Sequence, residues 1–187
     1  SNQNIDLSYS KNKLEDELVL TLTNFELQTI NPWLVKSKTS LMGKINGEVN
    51  LVDLNSSPKF ISNMMVKDMF LNKYPFGVLD FETSFNEQSN ATIITGDVYK
   101  DSTSVIEVSG VYFPDIDTNN FNLSFDINQF DVRYLESYLS TIFDEFTGAG
   151  KGRFDFFGNI DNPNFDGALW VDDLFMSIPY LGVDLKS

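Results

Sequence analysis

The most chemically suggestive phrase in the chain is Asp161-Asn162-Pro163-Asn164-Phe165-Asp166-Gly167, in which oxygen-bearing side chains crowd a turn-forming stretch. A calcium loop of the EF-hand kind needs a ligand at its third position and a glycine at its sixth. Here Pro163 occupies the third position and Gly167 is out of register, so the phrase reads as a turn. Asp172 and Asp173 are adjacent, and in a strand neighbouring side chains leave by opposite faces, so they cannot grip one ion together. Asp115 and Asp117 flank an isoleucine in a loop and read as solvated acids. Gly148-Ala149-Gly150-Lys151-Gly152 lacks the spacing of a phosphate-binding loop and has no Ser or Thr after its lysine. A glycosidase needs two carboxylates across a cleft. With 27 acidic residues some pair always meets that spacing, so the pattern discriminates nothing.

The missing residue types say more. There is no His and no Cys among the 187 residues. That removes the commonest general base and metal ligand, together with thiolate chemistry and disulfides. The predicted class is non-enzymatic, with no cofactor and no metal. A net charge of −14 opposes binding to a phosphate backbone or docking on an anionic lipid surface. Nucleic acid is therefore not an expected partner. The acids alternate with apolar residues rather than running together, which reads as one solvated acidic face.

Alternation at period two dominates the elements that hold these residues. Leu18, Leu20 and Leu22 share one side of a strand, as do Leu79, Phe81 and Phe85. Phe121, Leu123, Phe125 and Ile127 do the same opposite Asn122, Ser124, Asp126 and Asn128. Val49 with Leu51 and Phe154 with Phe156 continue the pattern. This predicts antiparallel strands with one dry and one wet face, and these fourteen residues are expected to share the dry one. Turn signals separate the strands at 10–13, 55–58, 86–90, 100–104, 114–120 and 161–164. Two stretches break the period. Residues 131–146 carry apolar residues at helical spacing, with Asp131 as N-cap and Gly148 as stop. Residues 31–43 have Asn31 as N-cap and Pro32 at the first helical position, predicting a shorter helix near 31–42. Met64, Met65 and Met69 read as core fillers before they read as a lipid-facing patch. The 131–146 helix has an acidic polar face, which favours packing on the sheet over lying on a membrane.

The chain also repeats. Offset by 105 positions, residues 130–187 lie over 25–82 without a gap. The identical pairs are Phe25/Phe130, Leu34/Leu139, Gly43/Gly148, Gly47/Gly152, Pro58/Pro163, Phe60/Phe165, Val66/Val171, Asp68/Asp173, Phe70/Phe175, Gly77/Gly182 and Val78/Val183. Chance would give about three or four such pairs. The expected organisation is the end of one repeat at 1–24, a full repeat of a short helix and about six strands at 25–129, and the start of the next at 130–187. Ser1-Asn2 reads as a cloning remnant, and the whole as a fragment of a longer protein.

Within the second unit, Gly152, Phe154, Phe156, Gly158, Pro163, Phe165, Gly167 and Leu169, followed by Leu181-Gly182, resemble the repeated phrase of the TamB/AsmA-like family. The first unit matches at Gly47, Val49, Leu51, Pro58 and Phe60, with Asp53 and Ser62 replacing two glycines. The resemblance implies an all-β repeated sheet curled into an open apolar trough, in a protein anchored in the inner membrane of a Gram-negative bacterium and extending through the periplasm. It implies an Omp85-type outer-membrane barrel as partner, a part in outer-membrane protein assembly, and conduction of phospholipid acyl chains. On that reading the fourteen dry-face residues line the lipid groove. The competing expectations are a closed acidic β-sandwich that binds carbohydrate or acts as an adhesin, with exposed Trp and Tyr platforms, and a purely structural spacer.

Overall fold

A computed structural model describes residues 2–11, 16–34, 39–54, 58–140, 145–159, 162–178 and 183–186. Eleven strands follow one another: β1 (Asn4–Lys11), β2 (Asp16–Glu26), β3 (Leu41–Val52), β4 (Lys59–Leu71), β5 (Tyr74–Asn86), β6 (Ala91–Lys100), β7 (Thr103–Tyr112), β8 (Phe121–Asp131), β9 (Glu145–Asn159), β10 (Asn162–Ile178) and β11 (Val183–Lys186). They form a single antiparallel sheet in sequence order. The sheet is neither closed nor strongly curled. Three of the connections are tight hairpins, in which Asn72, Asn90 and Asp101 take positive φ.

The repeat is written into the pairing register. Leu18↔Leu51, Leu22↔Gly47 and Phe25↔Ile45 join β2 to β3. Adding 105 gives Leu123↔Phe156, Ile127↔Gly152 and Phe130↔Gly150, the pairs that join β8 to β9. The β3–β4 pairs Leu51↔Phe60, Gly47↔Met64 and Met42↔Phe70 recur as Phe156↔Phe165, Gly152↔Leu169 and Thr147↔Phe175 between β9 and β10. The β3–β4 bulge recurs between β9 and β10 too, at Asp68 (φ 51) and Asp173 (φ 52). The correspondence ends at the last hairpin. β4 pairs with β5 through Leu71↔Tyr74, whereas β10 pairs with β11 only over Phe175–Ile178.

The helical expectations need correction. The first helical segment is a 3-10 helix over Leu27–Trp33, ahead of 31–42. Asn31 is not its N-cap. Its side chain instead grips Leu41, donating to the carbonyl at 2.9 Å and accepting from the N–H at 2.8 Å, as a paired strand residue would. The second runs as 3-10 over Val132–Leu135 and α over Glu136–Leu139, not to 146. Ile142 and Phe143 lie outside the described residues. Asp131 does cap it, accepting from the Arg133 N–H. The extended backbone of β9 begins at Glu145, because the ladder to β10 satisfies main-chain groups a lone helical turn would leave open. Gly148 is a strand residue at a bulge, not a helix stop. The predicted turn at 161–164 is also displaced: Asn162–Asn164 already belong to β10, and Asp161 lies outside the described residues.

The second segment packs back across the sheet. Val132 is fully buried, and the Tyr134 ring lies 5.0 Å from Phe76 and 5.3 Å from Phe130. The Tyr134 hydroxyl donates to the Pro75 carbonyl at 2.7 Å. Beneath it Val98, Val105 and Ile106 form the buried core, joined by Leu79 and Ile127. One end of the strand array is thus filled by the protein's own side chains.

Candidate apolar groove

Cross-strand partners in an antiparallel ladder point to the same face, so register fixes which side chains are neighbours. Following the pairs from β2 to β9 puts Leu18, Leu20 and Leu22 with Val49 and Leu51. It puts Leu79, Phe81 and Phe85 with Gly96 and Thr92, and Phe121, Leu123, Phe125 and Ile127 with Phe154 and Phe156. All fourteen sequence-derived residues lie on one face. The other face carries Glu48 on β3 and then Glu82, Asp97, Glu107, Asp126 and Asp155 on β5 to β9.

On the apolar face lies a groove of about 480 Å³ lined by Val49, Phe60, Ser62, Met64, Phe81, Thr83, Thr92, Ile94, Tyr112, Phe121, Leu123 and Phe156. No lining residue is charged. The lining comes from each of β3 to β9, so the groove runs across the strands rather than along them. Five of the fourteen line it directly: Val49, Phe81, Phe121, Leu123 and Phe156. Leu79 and Ile127 instead belong to the filled end. Leu18, Leu20, Leu22, Leu51, Phe85, Phe125 and Phe154 share the face but are not among the lining residues.

Several lining residues were not among the fourteen. Phe60, Ile94 and Tyr112 are direct partners of residues on the apolar face, through Leu51↔Phe60, Thr83↔Ile94 and Tyr112↔Phe121. Counting across hairpins from Phe81 would have found them. Met64 lines the groove whereas Met65, one residue on, faces the polar side, so the methionine cluster divides rather than filling one core. The hydroxyls follow a different rule. Ser62 and Thr83 are buried and satisfy each other at 2.9 Å, which lets polar residues sit in an apolar wall at little cost.

Glycine lets β3 and β4 pair closely beside the groove. At Gly47 (φ +149) a Cβ would lie 2.2 Å from the Asn63 carbonyl oxygen, so any larger residue forces the β3 and β4 backbones apart.

Electrostatics gather at the filled end. Glu136 receives hydrogen bonds from Lys73 Nζ at 2.7 Å and from the Tyr74 hydroxyl. These hold its carboxyl below the ordinary range, the Lys73 bond counting most. Asp131 is held low chiefly by its side-chain hydrogen bonds from Arg133. Burial pushes the Tyr134 hydroxyl up, so it stays protonated as a donor. A second hollow of about 300 Å³ opens beneath this segment, lined in part by Asp131, Arg133 and Lys100. Asp131 and Arg133 pair with each other there at 2.5 Å.

The acidic phrases are accounted for locally. Asp172 pairs with Lys151 at 3.1 Å, and Asp115 accepts from the Asn90 amide at 2.5 Å. Among the described residues no cluster of acidic side chains has the geometry to hold a metal ion. Comparisons with protein families, with curated proteins and with solved structures found no match to the chain.

Proposed function

We propose that this chain is a section of a shallow apolar gutter that carries acyl chains across its strands, in a TamB-like protein of the Gram-negative periplasm. The reading rests on one observation above all: a groove supplied by seven consecutive strands has no charged side chain in its wall. An open apolar face of this kind is stabilised by a cover, and hydrocarbon matches a wall that carries no charged side chain. Each methylene removed from water contributes about 0.8 kcal/mol, and a lining without one deep pocket keeps an acyl chain from being trapped. The helical wall closes one end of the strands, so headgroups lie toward the opposite, loop-bearing end. In this reading the chain is not an enzyme, the parent protein is anchored in the inner membrane, and its partner is an Omp85-type outer-membrane barrel.

Native mass spectrometry of the purified chain tests the proposal. Co-purified phospholipid or fatty acid is expected, and Phe156→Asp should lose it while remaining folded. A folded wild-type chain that carries no lipid and binds no added oleate would remove the conduit and favour a structural spacer. Binding of glycans through exposed aromatics such as Trp33, with no lipid, would favour the adhesin reading.

A further inference from the structure

The hollow of about 300 Å³ beneath the second helical segment takes the opposite end of strands that also build the groove. On β6 the groove uses Ile94 and the hollow Lys100; on β8 the groove uses Leu123 and the hollow Phe130. Along β5, β6 and β8 respectively, Leu79, Val98 and Ile127 stand between the two and pack together. The hollow is therefore a separate space. Its floor is apolar, with Val105 and Ile106 buried beside Phe76 and Phe130. Its exposed rim carries Lys100, Gln129, Arg133 and Thr147. Among the described residues the side chains of Lys100, Gln129 and Thr147 have no hydrogen bond or ion pair. The Arg133 guanidinium is held in place, because Nε and Nη2 donate to Asp131 and its plane lies 5.1 Å from the Tyr74 ring centroid. That leaves Nη1 unused. The first repeat has the same contact without the charge: Gln28 stands where Arg133 does, and its amide donates to Glu26 at 2.8 Å. Lys44 and Met42 stand where the hollow has Ala149 and Thr147.

We propose that the hollow is a binding site for a small amphipathic anion, a carboxylate or phosphate monoester on a compact aryl or branched aliphatic body. Lys100 and Arg133 Nη1 take its oxygens, Gln129 and Thr147 add hydrogen bonds, and the body lies on Phe76 and Phe130. Two cations line the site against one acid, and that acid already accepts from Arg133. The net charge of −14 does not cancel them, because at 0.15 M salt charges beyond about 8 Å are largely screened. The volume is at the lower end of small-molecule sites, which suits a compact body and excludes a long acyl chain. The inference holds whether or not the groove carries lipid.

The probe is phenyl phosphate, titrated into the whole chain and followed by amide shifts and calorimetry. Binding at one site is expected, with shifts at residues 100, 129–131 and 147–149. Inorganic phosphate should bind at least about tenfold more weakly, for want of the apolar body, and benzyl alcohol should not bind. Lys100→Gln removes no internal contact, so the chain should fold unchanged and lose about tenfold in affinity, with Lys100→Arg restoring most of it. Absence of binding, equal binding by benzyl alcohol or inorganic phosphate, or unchanged affinity in Lys100→Gln overturns the proposal. Lysophosphatidate that shifts the same amides more tightly than phenyl phosphate, and only while Phe156 is intact, overturns the free ligand in favour of the headgroup of a groove-bound lipid.

Discussion

Whether a side chain lines an open groove or a filled core decides what a charge does there. Phe156 has groove volume beside it, so an aspartate at that position keeps contact with water and should cost little stability. Val98 is 3% exposed beneath the helical wall, and Val98→Asp buries a carboxylate without a partner. Val98→Asp is expected to destabilise by several kcal/mol and Phe156→Asp by about 1 kcal/mol or less, as read from urea unfolding. Equal losses would mean that the groove is part of the sealed core. The alternation that placed fourteen residues on one face was legible because period two is a property of the strand itself. Which of them border open space was not legible, because that depends on where Val132 and Tyr134 land from a segment more than thirty residues away from Val98.

The same wall gives the protein an acid limit. Asp131 and Glu136 both have carboxyls held below their ordinary range, by Arg133 and by Lys73 with Tyr74. A depressed carboxylate contributes stability that is fully present above its unfolded pKa, about 4, and is lost as pH falls through the folded value. Lys73 is shifted upward by the Glu136 hydrogen bond, so its share is lost only at strongly alkaline pH. Stability should therefore fall below about pH 4, and Glu136→Gln should flatten that fall and the Lys73 share of the alkaline limb together, because each group is shifted by the other. The pair is largely exposed, so high salt should shrink the difference. Thermal midpoints of both chains from pH 7 to pH 2 check it.

At the scale of elements, the bulges carry the repeat. A Cβ on Gly43 would meet the Lys67 carbonyl oxygen at 3.0 Å, Val66 Cγ1 at 3.1 Å and Met69 Cα at 3.2 Å. On Gly148 it would meet Val171 Cγ1 at 2.8 Å, the Asp172 carbonyl oxygen at 3.1 Å and Leu174 Cα at 3.3 Å. These are equivalent atoms in two places, and both glycines have strongly positive φ. Gly43→Ala and Gly148→Ala should each destabilise by about 1–3 kcal/mol, and by similar amounts. Urea unfolding of the two variants measures this, and a cost at only one site would mean that the second bulge is not structurally equivalent to the first. The repeat was readable because identity clustered at these backbone-determining positions. The helices were misplaced for a complementary reason. Asn31 and Pro32 are good N-terminal signals in isolation, but Asn31 is recruited to pair with Leu41 at the start of β3, and the helical turn is pushed earlier to Leu27. Local propensity yielded to a long-range hydrogen bond.

A single sheet with, among the described residues, no second layer of strands depends on the balance between its faces. On the polar side Asp80↔Asp97, Asp97↔Glu107 and Glu107↔Asp126 set four acids in one cross-strand row. Like charges directly opposite are destabilising, and the chain as a whole carries 27 acidic against 13 basic residues. Raising ionic strength from about 0.01 to 0.15 M shortens the screening length from about 30 to 8 Å. The thermal midpoint should rise over that range, because screened repulsion outweighs the few exposed ion pairs that salt weakens. On the proposed reading the apolar side is covered by an acyl chain, and that dependence can be measured on the whole molecule. A ligand that binds only the folded chain stabilises it by about 2.7 kcal/mol at a hundred times its dissociation constant. For a chain of this length each kcal/mol moves the midpoint by about 2–4 °C, so saturating oleate should raise it by about 5–10 °C. Phe156→Asp should remove that rise with little change in the unliganded midpoint. Oleate that raises both chains equally would place binding outside the groove. Oleate that raises neither would leave the apolar face to be covered by protein rather than lipid.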